Sequence, residues 1–225
     1  MKVLAVAAIA VSIAAPALAQ DNDWKISSEI TATTDYISKG ISKTNGDPAL
    51  QAGWTAARGD FYVTPWISNA DFGPGADAEV KLTTGWAPEA WGYEWDWAVI
   101  GKAFPGTVAG VDDTMVEFQG AVKRSIGPAD LRFLVNYTPD NYGGAEQAWW
   151  TEATGGWKFS PKTRASGSVG YREQDGGTDY WAWNLGVNYK LTDKLAADVR
   201  YYDTNGHEFG EVYDARVVGA LKLRL

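Results

Sequence analysis

Few residues in this chain have the types and spacing that chemistry demands. The sole histidine, His207, stands in Thr204-Asn205-Gly206-His207-Glu208. Asn-Gly is a turn signal, so His207 reads as a surface-loop residue. A Ser–His pair would support acyl transfer, but no recognisable nucleophile motif flanks it. Asp112-Asp113 and the run Asp175-Gly176-Gly177-Thr178-Asp179 offer carboxylates to a hard cation. They lack the Asp-x-Asp-x-Asp spacing of a strong calcium loop, and read as solvated loop acids. Gly73-Pro74-Gly75 and Gly143-Gly144 are turn glycines with no helix after them to cradle a phosphate. Cysteine is absent and histidine nearly so, which leaves no zinc-type ligand set. The expectation is a protein without catalytic residues, cofactor or metal.

The remaining charges fall into a rhythm. Lys25, Glu29, Asp35, Glu79, Lys81, Glu94, Asp96, Glu117, Lys123, Arg132, Glu152, Arg164, Arg172, Arg200, Arg216 and Arg224 each alternate with apolar neighbours. From Trp24, even positions read Trp, Ile, Ser, Ile, Ala, Thr, Tyr and odd positions read Lys, Ser, Glu, Thr, Thr, Asp. This period of two marks a strand with unlike faces. It recurs through Leu50–Ala56, Phe61–Ile67, Ala78–Trp86, Tyr93–Val99, Val116–Val122, Leu131–Tyr137, Trp149–Trp157, Ala165–Tyr171, Trp181–Tyr189, Leu195–Tyr201 and Tyr213–Leu225. About twelve strands of roughly ten residues emerge, the length a tilted strand needs to cross a bilayer. Pro65 predicts a bulge in the third.

The connections alternate as well. Short turns are predicted at 58–60, 87–91, 125–128, 159–162 and 191–193, and longer polar loops at 38–48, 69–77, 104–113, 139–147, 173–179 and 203–211. The prediction is all-β: a transmembrane up-and-down antiparallel barrel of about twelve strands.

Composition agrees. The N-terminal segment, basic Lys2, apolar Val3–Ile13 and Ala17-Leu18-Ala19, reads as a signal peptide over 1–19, leaving a barrel over 20–225. The formal charge is −8, and loss of Lys2 makes it −9 (19 basic against 28 acidic residues), which disfavours nucleic acid as a partner. Twelve Trp and eleven Tyr are many for this length. On the apolar face, Tyr36, Tyr137, Trp149, Tyr171, Trp181, Tyr201 and Tyr213 adjoin long loops. Trp24, Trp86, Tyr93, Trp157 and Tyr189 adjoin short turns. Two belts of amphipathic rings are the girdles of an outer-membrane barrel. They place the apolar face outward, against lipid, and the charged residues in a wet lumen. A soluble barrel with an apolar interior is the inverse arrangement.

Near its start the chain reads Asp35-Tyr36, Gly40-Ile41-Ser42, Thr44, Asp47-Pro48-Ala49, Gln51 and Gly53, then Gly59, Phe61-Tyr62, Trp66, Ser68-Asn69 and Asp71-Phe72. This resembles the TorF family of Gram-negative porins, with Lys39 where Arg is usual. The resemblance covers about the first third of the chain after the signal peptide. It implies a barrel and a pore, without naming a solute. Such barrels commonly end in an aromatic residue; here Leu225 takes that place.

The expected function is passive passage of small polar or ionic solutes across the outer membrane. Alternatives are a structural or adhesive barrel with a plugged lumen, and an outer-membrane lipid hydrolase. Expected partners are outer-membrane lipid, the barrel-assembly machinery and the solute. Near balance of lumen charge predicts a narrow bore. An acidic mouth (Asp47, Asp71, Asp112, Asp113, Asp140, Glu146, Asp175, Asp203, Glu208, Glu211) with few bases beyond Lys39 and Lys43 predicts mild cation preference. The loop assignment has a direct check. A Cys placed at Asn45 should react with an impermeant maleimide on intact cells, and one at Lys162 should not; labelling of both, or of the latter alone, would reverse the orientation.

Overall fold

The computed structural model describes residues 24–143 and 146–225. The segment assigned to the signal peptide, and Gly144, lie outside the described residues. Twelve long strands make up the chain: β1 (Lys25–Thr33), β2 (Ala49–Arg58), β3 (Phe61–Phe72), β4 (Ala76–Trp86), β5 (Tyr93–Ala103), β6 (Thr114–Ile126), β7 (Ala129–Thr138), β8 (Ala148–Lys158), β9 (Thr163–Gln174), β10 (Tyr180–Lys190), β11 (Leu195–Thr204) and β12 (Arg216–Arg224). Each pairs antiparallel with its sequence neighbours, and β12 returns to pair with β1 through Ala32↔Leu221 and Ile30↔Leu223. The sheet is a closed twelve-stranded barrel.

Closure follows from the strand pattern. A β-strand can satisfy its backbone only through its neighbours, and an open edge would leave a row of N–H and C=O groups unpaired. The apolar side chains lie on the outer wall: Phe133 is 60 % exposed, Leu185 66 % and Val217 68 %. A continuous apolar belt of this kind is incompatible with water and suits hydrocarbon. Rings flank it at both ends. Tyr137 packs on Trp149 (4.4 Å between centroids) and Tyr171 on Trp181 (4.8 Å) at the loop end. Trp24, Trp86, Tyr93, Trp157 and Tyr189 lie near the turn end. Trp95, stacked on Trp97 at 6.3 Å, fills the belt between.

Three local expectations are corrected. The long loop over 69–77 is a three-residue turn, because β3 and β4 run on to pair Phe72 with Ala76. Gly73 and Gly75, at φ 59° and 95°, permit that reversal where a side chain would resist it. Pro65 makes no bulge: the β2–β3 ladder pauses between Gly53↔Trp66 and Ala56↔Val63 with register kept. Proline has no N–H to give the ladder, while the register shift falls at Asn69/Phe72. The final strand begins at Arg216, not Tyr213, since two short 3₁₀ turns (His207–Phe209 and Glu211–Tyr213) precede it.

The face assignment generates a stability test. Arg at Val135 or Leu185, mid-strand on the apolar wall, is expected to cost roughly 2–4 kcal/mol in lipid, as at a bilayer midplane. Arg at Gln119, whose amide donates to Asp96 inside the barrel (2.8 Å), should cost far less. Denaturant titration in lipid vesicles reads the difference; equal costs would contradict the assignment.

Candidate functional site

The loop between β1 and β2 does not stand out from the barrel. It folds into it. Ile37–Ser38 pairs with Ile41–Ser42 in a small hairpin. Its two-residue turn is Lys39-Gly40, both at positive φ (53° and 85°), the backbone of a tight hairpin turn. The Tyr180 phenol donates to the Lys39 carbonyl at 2.8 Å. Gly40 rests against Ala182 so closely that a Cβ there would lie 2.2 Å from the Ala182 Cβ. At the hairpin base, the buried Asp35 carboxylate accepts from Ser42 Oγ (2.7 Å), Thr44 Oγ1 (2.8 Å) and Arg216 Nη1 (2.7 Å). One carboxylate thus ties the loop to itself and to β12.

The hairpin brings its lysines to lumen charges on facing strands. The Lys39 ammonium pairs with Glu117, which also meets Lys102 Nζ at 3.3 Å and accepts from Asn136 Nδ2 at 2.7 Å. The Tyr36 phenol donates to Glu79 Oε2 (3.0 Å) and accepts from Lys81 Nζ (2.7 Å). Lys81 lies over the Trp66 ring at 4.1 Å and Lys43 over Phe72 at 4.5 Å, both cation–π contacts. Arg172, buried, gives Nε and Nη2 to Gln174 Oε1 (3.2 and 2.9 Å). Between these groups is a cavity of about 150 Å³ lined by Lys39, Lys43, Lys102, Arg172, Glu79 and rings that include Phe72, Tyr180 and Tyr213. Five cations (Lys39, Lys43, Lys81, Lys102, Arg172) share two carboxylates (Glu79, Glu117). Desolvation, then repulsion from Lys102, draws the Lys39 ammonium down to about 7. Lys43, desolvated and facing Arg172 and Lys102, is lowered to about 8 despite the pull of Glu79.

Towards the turn end the lumen charges are mostly paired, three of the pairs across strands and Arg200–Asp198 along one. Lys123 meets Glu94 (2.8 Å), Arg164 meets Asp130 (2.5 Å), Arg224 meets Glu29 (2.9 Å) and Arg200 meets Asp198 (3.3 Å). Asp96 accepts from Tyr62 (2.7 Å) as well as Gln119, Glu152 accepts from Thr154 (3.0 Å), and Arg132 lines the same recess as Asp96. Lys25, exposed, opposes Ala57 at the rim.

Two members of the expected girdle are inside instead. Tyr36 is 7 % exposed because β1 ends at Thr33 and the chain turns inward, carrying its hydroxyl to Glu79 and Lys81. Tyr213 lies in the second 3₁₀ turn, edge-on to Tyr180 at 5.1 Å, since β12 has not yet begun. Lys39 and Lys43, taken from sequence as mouth residues, belong to the lumen for the same reason. Sequence reasoning sets Lys102 and Asn136 on the polar face of their strands without singling them out, and passes over Gln174 and Tyr180; strand parity marks each as inward, but nothing in one strand shows that a distant loop will meet it. His207 is on a surface turn, its Nε2 2.7 Å from Asp203 Oδ1, and that hydrogen bond raises its pKa. Asp179 accepts from the Gln174 backbone N–H (2.8 Å), a turn-closing contact.

A family model described as "Bacterial protein of unknown function (Gcw_chp)" matches residues 17–222. No curated protein matches the chain. Among solved structures it is similar to a KdgM porin (TM-score 0.61, 6 % identity, covering 88 % of this chain and 98 % of that one). It is also similar to a KdgM porin in complex with disordered oligogalacturonate (TM-score 0.63, 6 % identity, 88 % and 98 %) and to a NanC porin (TM-score 0.55, 5 % identity, 88 % and 98 %). At these identities the likeness speaks for the fold.

The hairpin's seat is open to test. Gly40→Val adds a branched side chain at positive φ and against Ala182, so it should expel the hairpin and raise single-channel conductance severalfold. A folded variant conducting like the parent would mean that the hairpin does not limit the bore.

Proposed function

The chain belongs to the Gcw_chp family, and we propose that it is an outer-membrane channel for passive diffusion of small polar or ionic solutes, not an enzyme. In this reading residues 1–19 are removed on export. The finer TorF resemblance of residues 35–72 is part of the same proposal. The observation that carries it is the inversion of the barrel, with an apolar, ring-flanked outer wall around a charged and hydroxylated lumen. Such a lumen holds water and solvates polar solutes, whereas a packed apolar core would not.

The hairpin sets the selectivity. Sequence alone counted Lys39 and Lys43 at an acidic mouth and so pointed to cations. Folded inward, they join Lys81, Lys102 and Arg172 in one charged cluster of the lumen, where cations outnumber carboxylates. Ions inside the lumen meet this cluster at close range, whereas the mouth acids are mostly exposed to bulk salt, which screens charge within about 10 Å at 0.1 M. The channel is therefore proposed to prefer anions. The plugged structural barrel is the second reading, favoured by the same inward hairpin.

Planar-bilayer recordings test both. Ion conductance with a reversal potential towards that of chloride in a KCl gradient is the expected result, and cation selectivity would contradict the cluster argument. Complete silence would favour the plugged barrel. The pH dependence has a definite sign. Lys39 and Lys43, lowered to about 7 and about 8, lose their protons as pH rises. Anion preference should be strongest near pH 6 and decline towards pH 9.

A further inference from the structure

The cationic stretch contains more positive charge than its own carboxylates answer. Glu117 is shared by Lys39 and Lys102, and Glu79 is taken by Lys81 at 3.2 Å. Among the described residues, Lys43 and Arg172 make no ion pair: Lys43 has a ring beneath it, and Arg172 has only the neutral Gln174 oxygen. Both line the one cavity, and Arg172 is only 6 % exposed. A charge held this far from bulk water is costly unless an opposite charge meets it. An occupant carrying two negative charges would answer both. The guanidinium is suited to the task, since its remaining N–H groups match an oxyanion in a planar fork.

We infer that this cavity is a binding site for a small multivalent oxyanion, a dicarboxylate or a phosphate, held by Lys43 and Arg172 with Lys102 beside them. This deepens the channel reading and rests on it for its physiological meaning. The bound anion bridges the hairpin and β9, so occupancy also fastens the hairpin in the lumen. Its volume limits the ligand to a few heavy atoms beyond the charged groups.

Isothermal titration calorimetry on the refolded barrel in detergent tests the site without requiring conduction. Sodium malonate, sodium phosphate and sodium acetate would be compared at matched ionic strength and pH 6.5. Malonate or phosphate should bind at one site per chain, about tenfold more tightly than acetate, a difference of about 1.4 kcal/mol. Malonate alone would identify a dicarboxylate site and phosphate alone a phosphate site. Arg172→Gln and Lys43→Gln should each weaken that binding about tenfold, while Lys222→Gln, at the turn end, should leave it unchanged. Should Arg172→Gln fail to fold, Lys43→Gln, altered on a loop, decides the matter. Equal affinity for acetate and malonate, or parental affinity in folded Lys43→Gln, would overturn the site. Binding without conductance would reject the channel and keep the site, and conductance without binding would do the reverse.

Discussion

The rest of this molecule depends on closure of the backbone hydrogen-bond ladder. An apolar outer wall needs surroundings without water, and there an unpaired N–H or C=O group costs several kcal/mol. The β12–β1 pairing removes the last free edge. Once the sheet is closed, period-two alternation has only two places to send side chains, and the lumen receives every second residue. The buried polar groups there are satisfied in kind: among the described residues, no buried side-chain nitrogen or oxygen lacks a hydrogen-bond partner.

Closure at twelve strands leaves an interior too wide for one layer of side chains to fill. The loop after β1 occupies part of that space. Its anchors differ in chemistry: a carboxylate bound to Arg216 at the base, a phenol on the Lys39 carbonyl, and a glycine pressed on Ala182 at the tip. Together they place a hairpin's lysines among strand residues as distant in sequence as Glu117 and Arg172. The excess positive charge of the lumen thus comes from one inserted segment meeting the wall more than from the wall itself, whose turn-end charges largely neutralise one another within and between strands.

Much of the barrel was legible in the sequence because its information is local. Alternation such as Trp181, Trp183, Leu185, Val187 against Ala182, Asn184, Gly186 needs only the two-residue period of a strand, and turn signals such as Gly127-Pro128 bound the segments. Strand number and antiparallel order follow from those elements, and the sorting of rings to the strand ends gives the direction of each face. The girdle residues Tyr137, Trp149, Tyr171 and Trp181 were readable in the same way, since position within a strand sets depth. Element ends were less legible. Phe72 and Ala76 extend their strands because each finds a partner across the turn, while Tyr36 leaves its strand because Asp35 finds Arg216.

Only the tertiary structure decided where the first loop goes. A polar loop of Lys, Ser, Asn and Gly is equally at home in bulk water and in a wet lumen, so composition does not distinguish them. What separates the two is the fit of Gly40 to Ala182, Lys39 to Glu117 and Asp35 to Arg216, contacts spanning 142, 78 and 181 positions of sequence. The sequence by itself determined an inverted barrel with a charged interior, because alternation and ring placement are properties of single strands. The sign and position of the excess charge in the lumen were set by long-range packing, because they arise only when a loop and strands from across the barrel share one small volume.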